Sequence, residues 1–220
     1  ATTEIYTLSL HDALPIFTGV YNFYREAYPK VYPVYKPLSL LFPGGNSEDG
    51  LKQLHTAALN SIVLRAESYF LLTYIYLNFE NNYPEAVFYS KSLHELYPGN
   101  VLYRTSYIKN LLLMRQYDEA EKLITDSSDE TGNKYFQAQL PIFKGILHEK
   151  KYHDNKLAQE YYKKGISEIS KFDSYGNEFT AYAYYGLSRI SEANGEKHVS
   201  KMYREKAIEF ADFKNNNFDK

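Results

Sequence analysis

Tyr83-Pro84-Glu85-Ala86 recurs as Tyr117-Asp118-Glu119-Ala120, 34 residues further along the chain. Twelve residues after Ala86 stands Pro98, inside Leu96-Tyr97-Pro98-Gly99-Asn100. That run reads as a strong helix terminator, because proline removes a backbone donor and glycine commonly follows a helix end. Self-similarity at a period of roughly 20–50 residues marks stacked units, each too small to bury its own apolar face. The two motifs therefore predict helical hairpins that complete one another's core.

Helical spacing extends the pattern outward. In the first unit a helix over 65–79 places Tyr69, Leu72, Thr73 and Tyr76 inward, with Thr73 as the small residue at the helix crossing. A turn through Glu80, Asn81 and Asn82 leads to a second helix from Tyr83 to about Tyr97, burying Ala86, Leu93 and Leu96. The next unit puts Tyr107, Ile108 and Leu111 inward on its first helix, and Ala120, Leu123 and Ile124 on its second. A polar linker, Asp126 to Asn133, follows. Further on, the run from Ala158 to Gly165-Ile166 aligns with the run from Ser200 to Ala207-Ile208, offset by 42 residues. Each is preceded by a glycine suited to a close crossing, Gly145 and Gly186, and Phe172 to Asn177 breaks the two apart.

The 34-residue period, the Tyr-x-x-Ala turn and the terminating proline resemble the tetratricopeptide repeat family. The resemblance covers 64–213 and implies an all-α fold, an α-α superhelix of stacked antiparallel helix pairs. Its four units are 64–100, 101–133, 134–176 and 177–213, with a polar tail at 214–220. It also implies a non-enzymatic protein-interaction scaffold that holds a peptide or a helix in the concave face lined by the first helix of each pair. In that register the groove residues are Glu67, Phe70 and Tyr74, then Thr105, Lys109 and Leu112. Gln139, Ile142 and Glu149 follow, then Thr180, Tyr184 and Leu187. This groove is mixed in character, aromatic at its edges and not basic. It lacks the Lys/Asn set with which some co-chaperones of the family clamp a peptide's terminal carboxylate.

Upstream, 17–63 is a proline-rich lead-in with a partial helix pair. Pro29, Pro33 and Pro37 are expected to break any helix into short turns. Phe42-Pro43-Gly44-Gly45-Asn46 is a loop, and Gly50 to Ile62 reads as the second half of a pair. The lead-in is similar to that of uncharacterised tetratricopeptide proteins of Bacteroidetes, in which it joins an N-terminal helical half to the repeats. On that basis the chain is a fragment, and Phe17, Tyr21 and Tyr24 are expected to be partly exposed. Residues 1–16, ATTEIYTLSLHDALPI, resemble no family; Thr2 through Ile16 match the translation of a common sequencing-adapter oligonucleotide. They are set aside as a non-native leader.

Composition narrows the function classes. The chain has 220 residues, 44% of them hydrophobic and 24% charged, enough apolar surface for a core. With no cysteine it has neither a disulfide framework nor a thiolate metal site or nucleophile. Its formal charge is −2. The leader holds Glu4 and Asp12 and no Lys or Arg, so the remainder is neutral. A neutral domain lacks the positive charge that drives nucleic-acid binding. No apolar run approaches the ~18 residues of a membrane-spanning helix. Richness in Tyr, Asn, Lys and Ile suggests an AT-rich bacterial genome, and the compartment, cytoplasmic or periplasmic, stays open.

Candidate chemistry is thin. His148-Glu149 followed by His153 misses the H-E-x-x-H zinc spacing, since Tyr152 stands where the second histidine belongs. Asp126, Ser128, Asp129 and Glu130 lack the glycine and closing glutamate of a calcium loop. Pro43 to Asn46 has no Gly-Lys-Ser/Thr to make a phosphate loop. No catalytic residue, metal or cofactor is assigned. Two other readings compete with the scaffold. Arg65 to Phe70 faintly resembles SusD-like glycan-binding envelope proteins, without their Gly-Asp-x-Pro element or tryptophan platforms. An all-helical enzyme with an incomplete active site is the other.

Overall fold

Four hairpin turns share one backbone feature. Asn81, Arg115, His153 and Gly195 all have positive φ, and each lies two residues before a helix begins. A left-handed residue there ends one helix and turns the chain back, and the next residue's amide reaches a carbonyl of the last turn. Asn82 N–H donates to Tyr76 O at 2.9 Å, and Asp154 N–H to His148 O at 2.9 Å. Gln116 and Glu196 make the equivalent bonds to Leu111 and Ser191, each at 2.9 Å. The fourth residue of each following helix is small and buried: Ala86, Ala120, Ala158 and Ser200. Small residues there let the two helices of a hairpin approach closely.

These turns organise the computed structural model of the chain, which describes residues 2–61, 64–126, 132–213 and 216–219, with side chains from Leu14 onward. Its helices are α1 (Thr2–Val31), α2 (Lys36–Ser39), α3 (Ser47–Asn60), α4 (Arg65–Asn78), α5 (Tyr83–Leu96), α6 (Val101–Leu113), α7 (Tyr117–Asp126), α8 (Lys134–Lys150), α9 (Asn155–Ile169), α10 (Asn177–Ala193) and α11 (Lys197–Phe210). Short 3-10 segments span Pro33–Tyr35 and Ser170–Gly176. No strand occurs among the described residues. The architecture is all-α, built from antiparallel helix pairs α4/α5, α6/α7, α8/α9 and α10/α11. Asparagine and aspartate open several of these helices by accepting a backbone N–H: Asn46 from Asp49, Asn133 from Phe136 and Asp154 from Leu157, each at 3.0 Å.

Two compact units divide the chain, Ala1–Leu96 and Tyr97–Lys220. In the first, α1 packs on α3, and α3 on α4. Here the structure departs from the proline-broken lead-in. α1 runs unbroken through Pro15 and Pro29, and the helix ends only before Pro33. An interior proline costs about 3 kcal/mol. Against it stands the stripe Ile16, Gly19, Phe23 and Ala27, spaced for one helix face, whose apolar members are buried. Each large apolar side chain fully buried contributes about 1.5–3 kcal/mol. Thus α1 supplies a first helix for α3, and residues 2–16, set aside as a leader, form its first half. Their adapter reading falls almost wholly on side chains outside the described ones. Phe17 and Tyr21 are exposed and Tyr24 is half-buried.

His55 of α3 ties this unit together. Its Nε2 meets Tyr76 Oη and its Nδ1 meets Tyr89 Oη, both at 2.7 Å, linking α3, α4 and α5. Leu96, expected in the core, is exposed at the end of α5.

In the second unit the pairs stack in chain order, α7 against α8 and α9 against α10. Tyr162 of α9 is fully buried at the centre. One edge of its ring faces Gly145 of α8, where an added methyl would lie 2.7 Å from Cδ1. The other edge faces Gly186 of α10, where an added methyl would overlap Cε2 and Cζ. The two glycines singled out in the sequence therefore make room for one tyrosine between successive hairpins.

Candidate binding surface

Within the first unit, Tyr21, Tyr24, Arg25 and Tyr28 share a side of α1 away from the stripe that meets α3. The chain from Tyr32 to Asn46 folds back over that side, and polar contacts hold it there. Arg25 Nε donates to Pro43 O at 2.9 Å and its Nη2 to Phe42 O at 2.8 Å. Tyr21 Oη donates to the same Pro43 carbonyl at 2.8 Å. Ser47 N–H donates to Glu26 at 2.7 Å. Hydrogen bonds from Lys30 and Ser47 hold the Glu26 carboxyl down to about 2.

The result is a continuous aromatic surface. Tyr74 lies 6.2 Å from Phe79 between ring centres, and Phe79 lies 5.3 Å from Tyr24. Tyr24 then meets Tyr28 at 6.4 Å, and Tyr28 meets Tyr35 at 5.3 Å. Burial first, then the neighbouring Tyr74 and Tyr28, raises the Tyr24 phenol above its usual value. A recess of about 170 Å³ opens among Tyr24, Tyr28, Tyr35, Leu38 and Phe42, with Arg25, Pro29 and Ser39 completing its wall. In the same stretch of chain Val34, Leu40 and Leu41 are 77%, 86% and 75% exposed. Contiguous apolar surface of this kind marks interaction sites on soluble proteins, whereas single exposed residues do not.

The twelve residues assigned to a groove from sequence separate by unit. Glu67, Phe70 and Tyr74 of α4 are exposed, and Tyr74 belongs to the aromatic surface. The other nine do not form an open groove. Thr105, Leu112, Gln139, Ile142, Glu149, Thr180 and Leu187 are buried. Thr105 Oγ1 donates to Gln139 Oε1 at 3.0 Å, and Lys109 Nζ pairs with Glu178 at 2.9 Å. Ile142 packs over Gly165 of its own hairpin. Tyr184 stacks between Tyr203 and Phe210 of α11, at 6.0 and 6.1 Å. Lateral packing accounts for the polar pairs, since α8 touches both α6 and α10, whereas Ile142 and Tyr184 pack against the second helix of their own hairpins.

Glu149 is enclosed by partners from three helices. Arg189 holds its carboxylate bidentately, Nε to Oε1 at 2.6 Å and Nη2 to Oε2 at 2.9 Å. Tyr162 Oη donates to Oε2 at 2.6 Å, and Lys150 Nζ lies 3.1 Å from Oε1. Burial pulls this carboxyl upward, but the hydrogen bonds and charge of Arg189, with Lys150 and Tyr162, outweigh it and leave it below the usual carboxylate value. His148 stacks on Tyr161 at 5.2 Å, and His153 fills the left-handed slot of the α8–α9 turn. Among the described residues no three His, Cys, Asp or Glu side chains gather to hold a metal ion. No described helix is long and apolar enough to cross a membrane.

Fold and surface together define an all-α protein of repeated helical hairpins with an aromatic patch held on its first unit. No family model and no curated protein matches the chain. Among solved structures, the MamA RS-1 ArsTM double mutant is similar over 84% of this chain and 94% of its own, at 14% identity and a TM-score of 0.47.

Proposed function

We propose that the chain is a non-enzymatic helical-repeat scaffold that holds a protein partner, as a peptide or a helix, against the aromatic surface of its first unit. The observation that carries this reading is the apolar patch from Tyr24 to Phe42, kept in water by a loop that Arg25 and Tyr21 fasten to α1. Burying each exposed leucine or phenylalanine contributes about 1.5–3 kcal/mol. A surface fastened beforehand loses little entropy on binding, so more of that gain appears as affinity. Tyr28, Tyr35 and Phe42 would be the anchors around the recess, which has room for one apolar side chain of the partner. Phe70 and Tyr74 would extend contact along α4, with Glu67 as its polar edge. A formal charge of −2 offers nothing to a nucleic acid.

The test is a selection of displayed random peptides on the full chain, followed by titration calorimetry. Tyr28→Ala and Phe42→Ala are each expected to weaken a selected peptide at least tenfold. Tyr175→Ala, which removes a highly exposed ring from the second unit, is expected to change nothing. Equal affinity for all four proteins would rule out the aromatic surface as the binding site.

A further inference from the structure

The segment Asn216–Asp219 is held in the second unit as a ligand is held, by side chains from outside it. Phe218 buries its ring edge-to-face on Tyr182 of α10, 5.0 Å between centres and 88° between planes. Arg189 Nη1 donates to Asn217 O at 2.6 Å and to Asp219 Oδ1 at 3.0 Å. Arg204 Nη2 of α11 donates to Asp219 Oδ2 at 3.2 Å. Asp219 N–H closes a turn onto Asn217 Oδ1 at 3.1 Å. Phe218 itself has φ +57, a conformation uncommon for a bulky residue.

The receiving side chains also have partners outside the segment. Arg189 divides its donors: Nε and Nη2 lie on Glu149, which Tyr162 and Lys150 also hold, and Nη1 alone turns to the segment. The guanidinium is therefore aimed whether or not Asp219 is present. Arg204 lies over the Tyr185 ring, 5.6 Å from its centre, which orients the second cation. An aromatic wall and two aimed guanidiniums side by side fit an aromatic residue followed by a carboxylate.

We propose that Tyr182, Arg189 and Arg204 form a peptide-recognition site for an aromatic–acidic dipeptide, that Phe218-Asp219 is its resident occupant, and that a partner peptide of the same pattern displaces it. The site lies wholly in the second unit and does not rest on the aromatic surface of the first. A tethered occupant competes at an effective concentration of about millimolar, so a free peptide gains access only when the resident is weakened or outnumbered.

The experiment uses a fluorescein-labelled peptide of residues 213–219 and fluorescence anisotropy on the full chain. A Phe218→Ala/Asp219→Ala chain is expected to bind the peptide at least tenfold more tightly than the unaltered chain. Peptides carrying the Phe218→Ala or Asp219→Asn change are expected to bind that chain at least tenfold more weakly than the parent peptide. Equal binding by both chains, no binding by the altered chain, or indifference to the peptide changes would overturn the proposal. The unaltered chain gives an independent readout. Excess peptide should abolish hydrogen-exchange protection at 216–219, and undiminished protection would mean the segment is a fixed structural cap.

Discussion

Gly186→Ala probes the packing of the second unit at its tightest point. A methyl on Gly186 would overlap Tyr162 Cε2 and Cζ and lie 2.7 Å from its hydroxyl oxygen. The ring cannot retreat toward α8, because a methyl on Gly145 would already sit 2.7 Å from its opposite edge. Forcing such a ring aside in a full core costs about 1–3 kcal/mol. The shift also breaks the 2.6 Å bond from Tyr162 to the Glu149 carboxylate, and hydrogen bonds to charged groups contribute about 1.5–3 kcal/mol. Alanine recovers about 1 kcal/mol of helix propensity over glycine. The net expectation is a loss of about 3 kcal/mol, which at this chain length lowers the melting temperature by about 6–12 °C. With no tryptophan in the chain, far-UV circular dichroism during heating and urea unfolding is the assay. Adding Tyr162→Leu to Gly186→Ala should cost less than the two single losses added together, since the smaller side chain relieves the clash. A Gly186→Ala melt within 1 °C of the parent would refute the wedge.

Three further substitutions address other contacts. Arg189→Met removes the bidentate partner of the buried Glu149 carboxylate, leaving it only Lys150 and Tyr162, and should cost about 3 kcal/mol at neutral pH. In the parent, Glu149 titrates below its usual value, so its contribution is complete above the ordinary carboxylate range and fades as pH falls through the folded value. The variant should lose that acid-side decline, which melting at pH 7 and pH 3 would show, and the same decline in both proteins would contradict the pairing. His55 titrates below its usual value, chiefly through burial, so the fold favours its neutral form between Tyr76 and Tyr89. Its contribution is complete above about 6.5 and is lost as pH falls below that. His55→Phe should lower the urea midpoint at pH 7 and flatten its change between pH 7 and pH 5. Gly195 has φ +80 with nothing within 4 Å of its missing side chain, so Gly195→Ala measures backbone strain alone. It should cost about 1–2 kcal/mol; a neutral result in urea would mean the turn rearranges.

What the sequence shows well is whatever is local. The Tyr-x-x-Ala motif, the small residue at the fourth position of each second helix and the Asn/Asp caps depend only on near neighbours, and the hairpins follow from them. α1 was hidden by its own prolines, although Ile16, Gly19, Phe23 and Ala27 carry a helical stripe that outweighs them. The groove residues split for a similar reason. Glu67, Phe70 and Tyr74 could be placed from α4 alone, whereas Gln139, Ile142 and Glu149 depend on how far α8 sinks between its neighbours. That depth is set by Gly145, Gly165 and Gly186 meeting Ile142 and Tyr162, contacts made across different helices. The recess at Phe42 was equally illegible, since it exists only because Arg25 and Tyr21 grip carbonyls 17–22 residues away.

A hydrogen-exchange footprint of a selected peptide on the full chain tests the proposed binding surface most directly. Slowed exchange at 24–42 and 67–79, with none at 180–187 or 216–219, is the predicted result. Protection confined to the second unit, leaving 24–42 unchanged, would contradict it.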